Sequence, residues 1–273
     1  MKSAFKKCFF ISLEFLGINA CFRYLNRGKL KTLMYHSISP SGQFFKNSVS
    51  AESFAKQINY LSKRYSILKM TQTGQIVGYD SKRVNVLLTF DDGFVDNYTV
   101  AVPILARFNM SAIFFVITEC LREGQPPSFI KERFGEHSNL PLYKTINTAQ
   151  ARELLNRGMN IGSHSCSHFD YTKATSESGL ADALESKVVL EKELGVAIES
   201  FAFPLGRYQP NQIELLKKNY RRIFTTEHGF NSLDDCVFYR NEVSSYFHLC
   251  CTASGALDSF STLLKRLNGD FLS

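Results

Sequence analysis

The sequence predicts an α/β fold built on a parallel sheet that closes into a barrel with helices outside it. Three observations lead there. Past residue 30, apolar runs of strand length alternate with helix-period segments, the signature of repeated β–α units. The runs VNVLLTF (84–90) and SAIFFVI (111–117) are apolar nearly throughout, as strands buried on both faces must be. One chain of 273 residues holds enough such units for a closed barrel to be more natural than an open sheet.

The elements follow in order. LKTLMY (30–35) reads as a short strand. Ser50 is suited to cap a helix whose stripe is Phe54, Ile58 and Leu61. After strand 84–90 comes a helical region, broken or restarted at Pro103, then strand 111–117. Residues 120–147 carry Gly124, Pro126, Pro127, Gly135 and Pro141 with no steady period, and are expected to form a surface insertion beside a site. Asn147 and Gln150 make a capping box for a helix over 148–158, which Gly158 stops. A strand at 159–162, a helix at 178–194 closed by Gly195, a strand at 200–203, a proline-opened helix at 210–219 and a strand at 221–226 complete the alternation. A last helix is expected over 256–268.

Composition narrows the classes. The excess of 32 Lys and Arg over 25 Asp and Glu is spread along the chain, which fits a mild preference for anionic surfaces or polymers and does not make a nucleic-acid interface. The 7 cysteines are odd in number and form no CxxC, so they make no disulfide framework, and a reducing compartment is expected. Residues 1–29 are expected to be an N-terminal amphipathic helix or extension ahead of a main domain at 30–273. Phe5, Phe9, Leu13 and Leu16 recur at helical spacing, and such a helix packs on the domain or lies on a membrane surface. Glu14 interrupts the apolar stretch and Arg23 and Arg27 follow it, so cleavage as a signal peptide is not expected. The expected location is cytoplasmic or membrane-associated, with export to the envelope as the alternative.

In a parallel barrel the chemistry sits where strands end. Four polar or turn-forming stretches fall there: YHS with His36, Asp91-Asp92-Gly93, HSCSH from His164 to His168, and FPLG from Phe203 to Gly206. Asp-Asp-Gly by itself suits a turn, and two spaced histidines suit a surface. Together at successive strand ends they also suit a catalytic metal, for which two histidines and one carboxylate are a standard ligand set that leaves positions open.

TFDDG (89–93), HSCSH (164–168) and FAFPLG (201–206), in this order and spacing, resemble three motifs of the polysaccharide deacetylases, carbohydrate esterase family four. LMYHSI (33–38) resembles the start of the subgroup acting on bacterial exopolysaccharides. The resemblance spans about residues 30–245. It implies a distorted (β/α) barrel of about seven strands, one divalent metal ion (zinc the first choice) and removal of N-acetyl groups from an acetylated polysaccharide. It implies Asp92, His164 and His168 as metal ligands, Asp91 as the base and the Leu205 backbone N–H as an oxyanion donor. In the subgroup a histidine of the first strand serves as the acid, which points to His36, with His248 as the rival. The arginine that orients the base in many members is replaced here by Ala202. Arg240 is the candidate substitute, and a surface or core-rim arginine is its plain alternative. The family's tryptophan motif is absent, since the chain has no Trp. Two other readings stay open: a weak or inactive glycan-binding relative, and a metal-dependent amidase acting on a small molecule. Around the site, Asp96 is expected to cap a helix, Asp170 to orient a histidine or a turn, His228 to lie at the surface, and Cys166 not to bind metal.

Overall fold

The computed structural model describes residues 14–39, 48–134, 143–173 and 175–259. The main sheet strands are β1 (Leu30–Tyr35), β2 (Asn85–Phe90), β3 (Ile113–Val116), β4 (Asn160–Ser163), β5 (Ser200–Ala202), β6 (Arg222–Phe224), β7 (Val237–Phe238) and β8 (Asn241–Glu242). Their order is β7-β6-β5-β4-β3-β2-β1-β8, and every pairing in it is parallel. Only Tyr239 and Arg240 separate the two ends of this order. β7 pairs with β6 and β8 pairs with β1, so one extended segment, 237–242, is stitched to both edges and the sheet curls closed. With that segment taken as one stave, the described residues form a distorted barrel of seven. The distortion has a visible source: Ser66–Ile67 occupies the first half of the free edge of β2, and β3 takes over only from Thr89.

The helices are α1 (Ile18–Leu25), α2 (Ala51–Arg64), α3 (Val102–Arg107), α4 (Ser128–Phe134), α5 (Thr148–Asn156), α6 (Ser176–Leu194), α7 (Pro210–Leu216) and α8 (Tyr246–Ser254). Local chemistry sets their ends. The Ser50 side chain accepts from Ser53 N at the start of α2, and Asn147 and Gln150 cap α5 reciprocally. Gly195 closes α6 in the left-handed conformation.

Alternation along the strands sorts the side chains into two layers. Leu87, Ile113, Phe115, Ala202, Phe224 and Phe238 fill the barrel interior with Leu30. Val86, Leu88, Phe90, Phe114, Ile161, Phe201 and Ile223 face outward into the larger core beneath the helices.

The helical region restarts at Pro103 as expected: a π turn at Asn97–Ala101 gives way to α3 at Val102, and the proline sits in the first turn of α3, where its missing N–H costs little. Three expectations need correction. The 120–147 insertion contains α4. Asp96 caps nothing; its carboxylate instead accepts from Ser37 Oγ at 2.5 Å. The chain after β8 first forms α8, which Gly255 ends at φ 83°, before helical structure resumes at 256–259. Residues 260–268 of the expected last helix lie outside the described residues, as do Phe5, Phe9 and Leu13. Leu16 falls in the turn just before α1, which packs on α8 and is tied to it by Asn26 Nδ2 donating to Ser254 O at 3.0 Å.

Candidate active site

Strand parity aims the two aspartates differently. Leu87, Thr89 and Asp91 share the inward face of β2, so Asp91 enters the barrel mouth. Asp92, one residue on, adopts φ 67° and turns its carboxylate toward the loop after β4. Among the described non-glycine residues, five have positive φ: Asp92, Asn109, Ser165, His168 and Leu205. All but Asn109 belong to this rim. Such a backbone costs on the order of 1–3 kcal/mol per residue and persists where surrounding structure enforces it, as it does at binding and catalytic sites.

Asp92, His164 and His168 present ligand atoms that all lie within 4.8 Å of one another. The Nε2 atoms of both histidines stand 3.4 Å from Asp92 Oδ1. That oxygen is buried and takes part in no hydrogen bond among the described residues. His164 is oriented by its other nitrogen, which lies 2.9 Å from the Ala202 carbonyl oxygen. A carbonyl can only accept, so Nδ1 carries the proton and Nε2 is left as a lone-pair donor. Burial would raise the Asp92 carboxyl, but the two imidazoles outweigh burial and hold it well below the usual carboxylate range.

Asp91 has a different partner. Arg240 Nη1 donates to Asp91 Oδ1 at 2.5 Å, and Arg240 Nε donates to the Thr225 carbonyl at 2.9 Å. The arginine is fully buried at the barrel closure, with its guanidinium 5.4 Å from the Phe115 ring centre. Burial pushes the Asp91 carboxyl up; the charge of Arg240, with His164 and His36, overcomes this and keeps it ionised. Arg240 therefore reaches the aspartate from the barrel closure, while Ala202 lies in the interior beside Phe115. The sequence offered a sign of this: Phe238 faces inward, and Arg240 shares its parity.

His36 follows β1 in register with Asp91, since Tyr35 pairs with Phe90 and Asp91 N donates to Tyr35 O at 2.9 Å. Its parity matches inward-facing Leu30, it lies within electrostatic reach of both aspartates, and its Nδ1 is buried with no hydrogen-bond partner among the described residues. His248 is elsewhere: it rides on α8, which packs against α1 and α2, and its Nδ1 lies 3.4 Å from Ser244 Oγ.

Leu205 sits in the turn after β5 at φ 59°. The next two amides are used, Gly206 N by Phe203 O and Arg207 N by Pro204 O, whereas no described residue accepts from Leu205 N. Gly206 is required here, because a Cβ on it would lie 2.0 Å from Thr226 Oγ1.

The remaining candidates take supporting places. Asp170 Oδ1 accepts from Thr172 N and Oγ1, the turn role, and Oδ2 meets Arg207 Nη1 at 3.3 Å. The Cys166 thiol is directed at the Asp182 carbonyl, and burial pushes it up to about 11, so it stays protonated. His228 is exposed. One neighbour was not foreseen from the sequence: the Phe129 ring of α4 stacks on His168, with centroids 4.1 Å apart and planes 27° apart.

Known proteins resemble this chain in sequence and fold. The Polysaccharide deacetylase family model matches residues 78–223. YxkH of Bacillus subtilis (strain 168), named as a polysaccharide deacetylase, is 27% identical over 219 residues, which cover 79% of this chain and 71% of YxkH. The Streptococcus pyogenes deacetylase PplD, solved in complex with acetate, aligns with a TM-score of 0.63 at 25% identity over 82% of this chain and 98% of its own. IcaB from Ammonifex degensii shares the fold with a TM-score of 0.66 at 22% identity, over 83% of this chain and 97% of its own. With its motifs on one rim of a distorted parallel barrel and the family model matched over more than half its length, the chain belongs to the polysaccharide deacetylase family, metal-dependent hydrolases that remove N-acetyl groups from polymeric sugars.

Proposed function

We propose that Asp92, His164 and His168 hold one zinc ion, that Asp91 is the general base and His36 the general acid of glycan N-deacetylation, and that Arg240 orients Asp91. The observation that carries this reading is the division of labour between adjacent aspartates: Asp92 faces two imidazoles while Asp91 faces a buried arginine. The donor set fits zinc. Ligand bonds of about 2.0–2.1 Å in tetrahedral geometry put ligand atoms roughly 3.3–3.4 Å apart, and both Nε2 atoms lie 3.4 Å from the unbonded Asp92 oxygen.

Asp92, His164 and His168 would hold a divalent ion, which would supply polarisation of the amide carbonyl and acidification of water. The protein residues do the rest. Asp91, with one oxygen fixed by Arg240, presents the other to the attacking water and takes its proton. The Leu205 N–H donates to the oxyanion as it develops. His36 delivers a proton to the departing amine, without which the C–N bond does not break. The products are acetate and a free amine on the sugar.

The test is release of acetate and free amine from acetylated glycans, before and after metal removal. Activity lost on chelation and restored by zinc is expected. Undiminished release from metal-free protein would overturn the reading.

Contact with a membrane surface through the N-terminal segment is part of the same proposal. Phe15, Leu16, Tyr24 and Leu25 are exposed beside Arg27, although no helix among the described residues is long and apolar enough to cross a membrane. Co-sedimentation with anionic vesicles that persists after Phe15→Ser and Leu16→Ser would rule this surface out.

A further inference from the structure

We propose that Phe129 is a positioning residue for His168. The inference rests on the metal-site reading above and goes beyond it by assigning a function to the insertion.

The two ligand histidines are held by different means. His164 is fixed through Nδ1 by the Ala202 carbonyl. No described residue makes a hydrogen bond with His168 Nδ1, and the His168 backbone is itself in the left-handed conformation at φ 58°. A metal-ligating histidine ordinarily takes its orientation from a bond at its second nitrogen. At His168 a ring takes that place. Phe129 lies against the imidazole face at 4.1 Å between centroids, and a nearly parallel stack opposes rotation about the Cβ–Cγ bond.

Phe129 is in turn held firmly. Ser128 N and Ser128 Oγ each donate to Glu119 Oε1 at 2.8 Å. Ile130, on the other side, is fully buried. The backbone N–H of the same Glu119 donates to Cys166 O at 2.9 Å, and Thr118 N donates to Ser165 O at 3.2 Å. One short segment, Thr118–Cys120, thus fixes both the loop that carries His168 and the helix start that carries Phe129. The returning arm of the insertion is bound to the aspartate loop, with Ile146 N donating to Gly93 O and Val95 N donating to Lys144 O, each at 2.8 Å. The insertion is therefore anchored at both ligand-bearing loops, and Phe129 is its contact with a ligand ring.

The experiment measures zinc affinity of the full chain by competition with a chromophoric chelator, for the wild type, His168→Ala, Phe129→Ala, Phe129→Leu and Phe129→Tyr. Thermal midpoints of the metal-free proteins check folding. Loss of the partner that orients a ligand typically weakens metal binding by about 10–100-fold. Phe129→Ala is expected at the lower end of that range, Phe129→Leu to remain weak because it restores bulk without a flat face, and Phe129→Tyr to recover wild-type affinity. Wild-type zinc affinity in both Phe129→Ala and Phe129→Leu would overturn the inference while leaving the metal site standing. So would full recovery in Phe129→Leu, which would reduce Phe129 to filler. A wild type that bound no more zinc than His168→Ala would sink the metal site and this inference together.

Discussion

Asp91 and Asp92 are chemically identical neighbours, and what separates them is the partner each one meets. A β-strand sends successive side chains to opposite faces, and the left-handed turn at Asp92 adds a further rotation. The roles should therefore separate in experiment. Asp91→Asn keeps the size of the side chain but cannot accept a proton, so it should retain zinc and lose about 10²–10⁴-fold in turnover. Loss of zinc from that variant would show the roles to be reversed. Arg240 makes a related prediction. Arg240→Ala leaves a buried carboxylate without its cation, a change that typically costs about 3–5 kcal/mol. Arg240→Lys keeps the charge but cannot reach both Asp91 and the Thr225 carbonyl with one planar fork, so it should be folded and slow. Wild-type turnover in Arg240→Lys would remove Arg240 from the machinery. His36 and His248 separate in the same way. His36→Ala should lower turnover at unchanged zinc content, and His248→Ala should not; the opposite result would move the acid to α8.

At the scale of elements, the strands were legible because burial on both faces leaves little choice of residue. The reading of 30–35 as a strand matches β1 at both ends, and 84–90 differs from β2 by one residue. The loops carrying Asp92, His164 and His168 stood out because two signals, each weak alone, fall at successive strand ends. Contacts made between distant segments were harder to see. Nothing near residue 129 announces a ring stacked 39 positions later, and α8 carries no clear stripe because both of its flanks are covered by other helices. Pro103 was legible for a local reason: the first turn of a helix needs no N–H there, so the proline marks where α3 begins. One element carries a sharp steric condition. β4 lies between β3 and β5, and a Cβ on Gly162 would stand 2.5 Å from both Phe115 Cε1 and Ser200 Oγ. Gly162→Ala should cost about 1–3 kcal/mol, read as a lower midpoint in denaturant unfolding. It should also weaken zinc binding, because His164 is the first residue beyond that strand. An unchanged midpoint would mean that β3 and β5 yield more easily than their packing indicates.

For the whole molecule, the rim draws its groups from sites far apart in sequence: His36 after β1, the aspartates after β2, the histidines after β4, Leu205 after β5 and Arg240 at the closure. Each is fixed only when the sheet curls shut, so the unfolded chain has no comparable site. This links metal binding to global stability. A ligand that binds only the folded state stabilises it by RT ln(1 + [L]/Kd), about 2.7 kcal/mol at a free concentration one hundred times Kd. Adding zinc to metal-free protein should therefore raise the unfolding midpoint, and the rise should continue logarithmically with free zinc rather than level off at saturation. His164→Ala removes a ligand and should abolish the dependence. Asp91→Asn leaves the ligand set intact and should preserve it, even where turnover is lost. The pair of variants separates binding from chemistry without a substrate in hand. A midpoint indifferent to zinc in the wild type, or equally responsive in His164→Ala, would place any bound metal outside this rim.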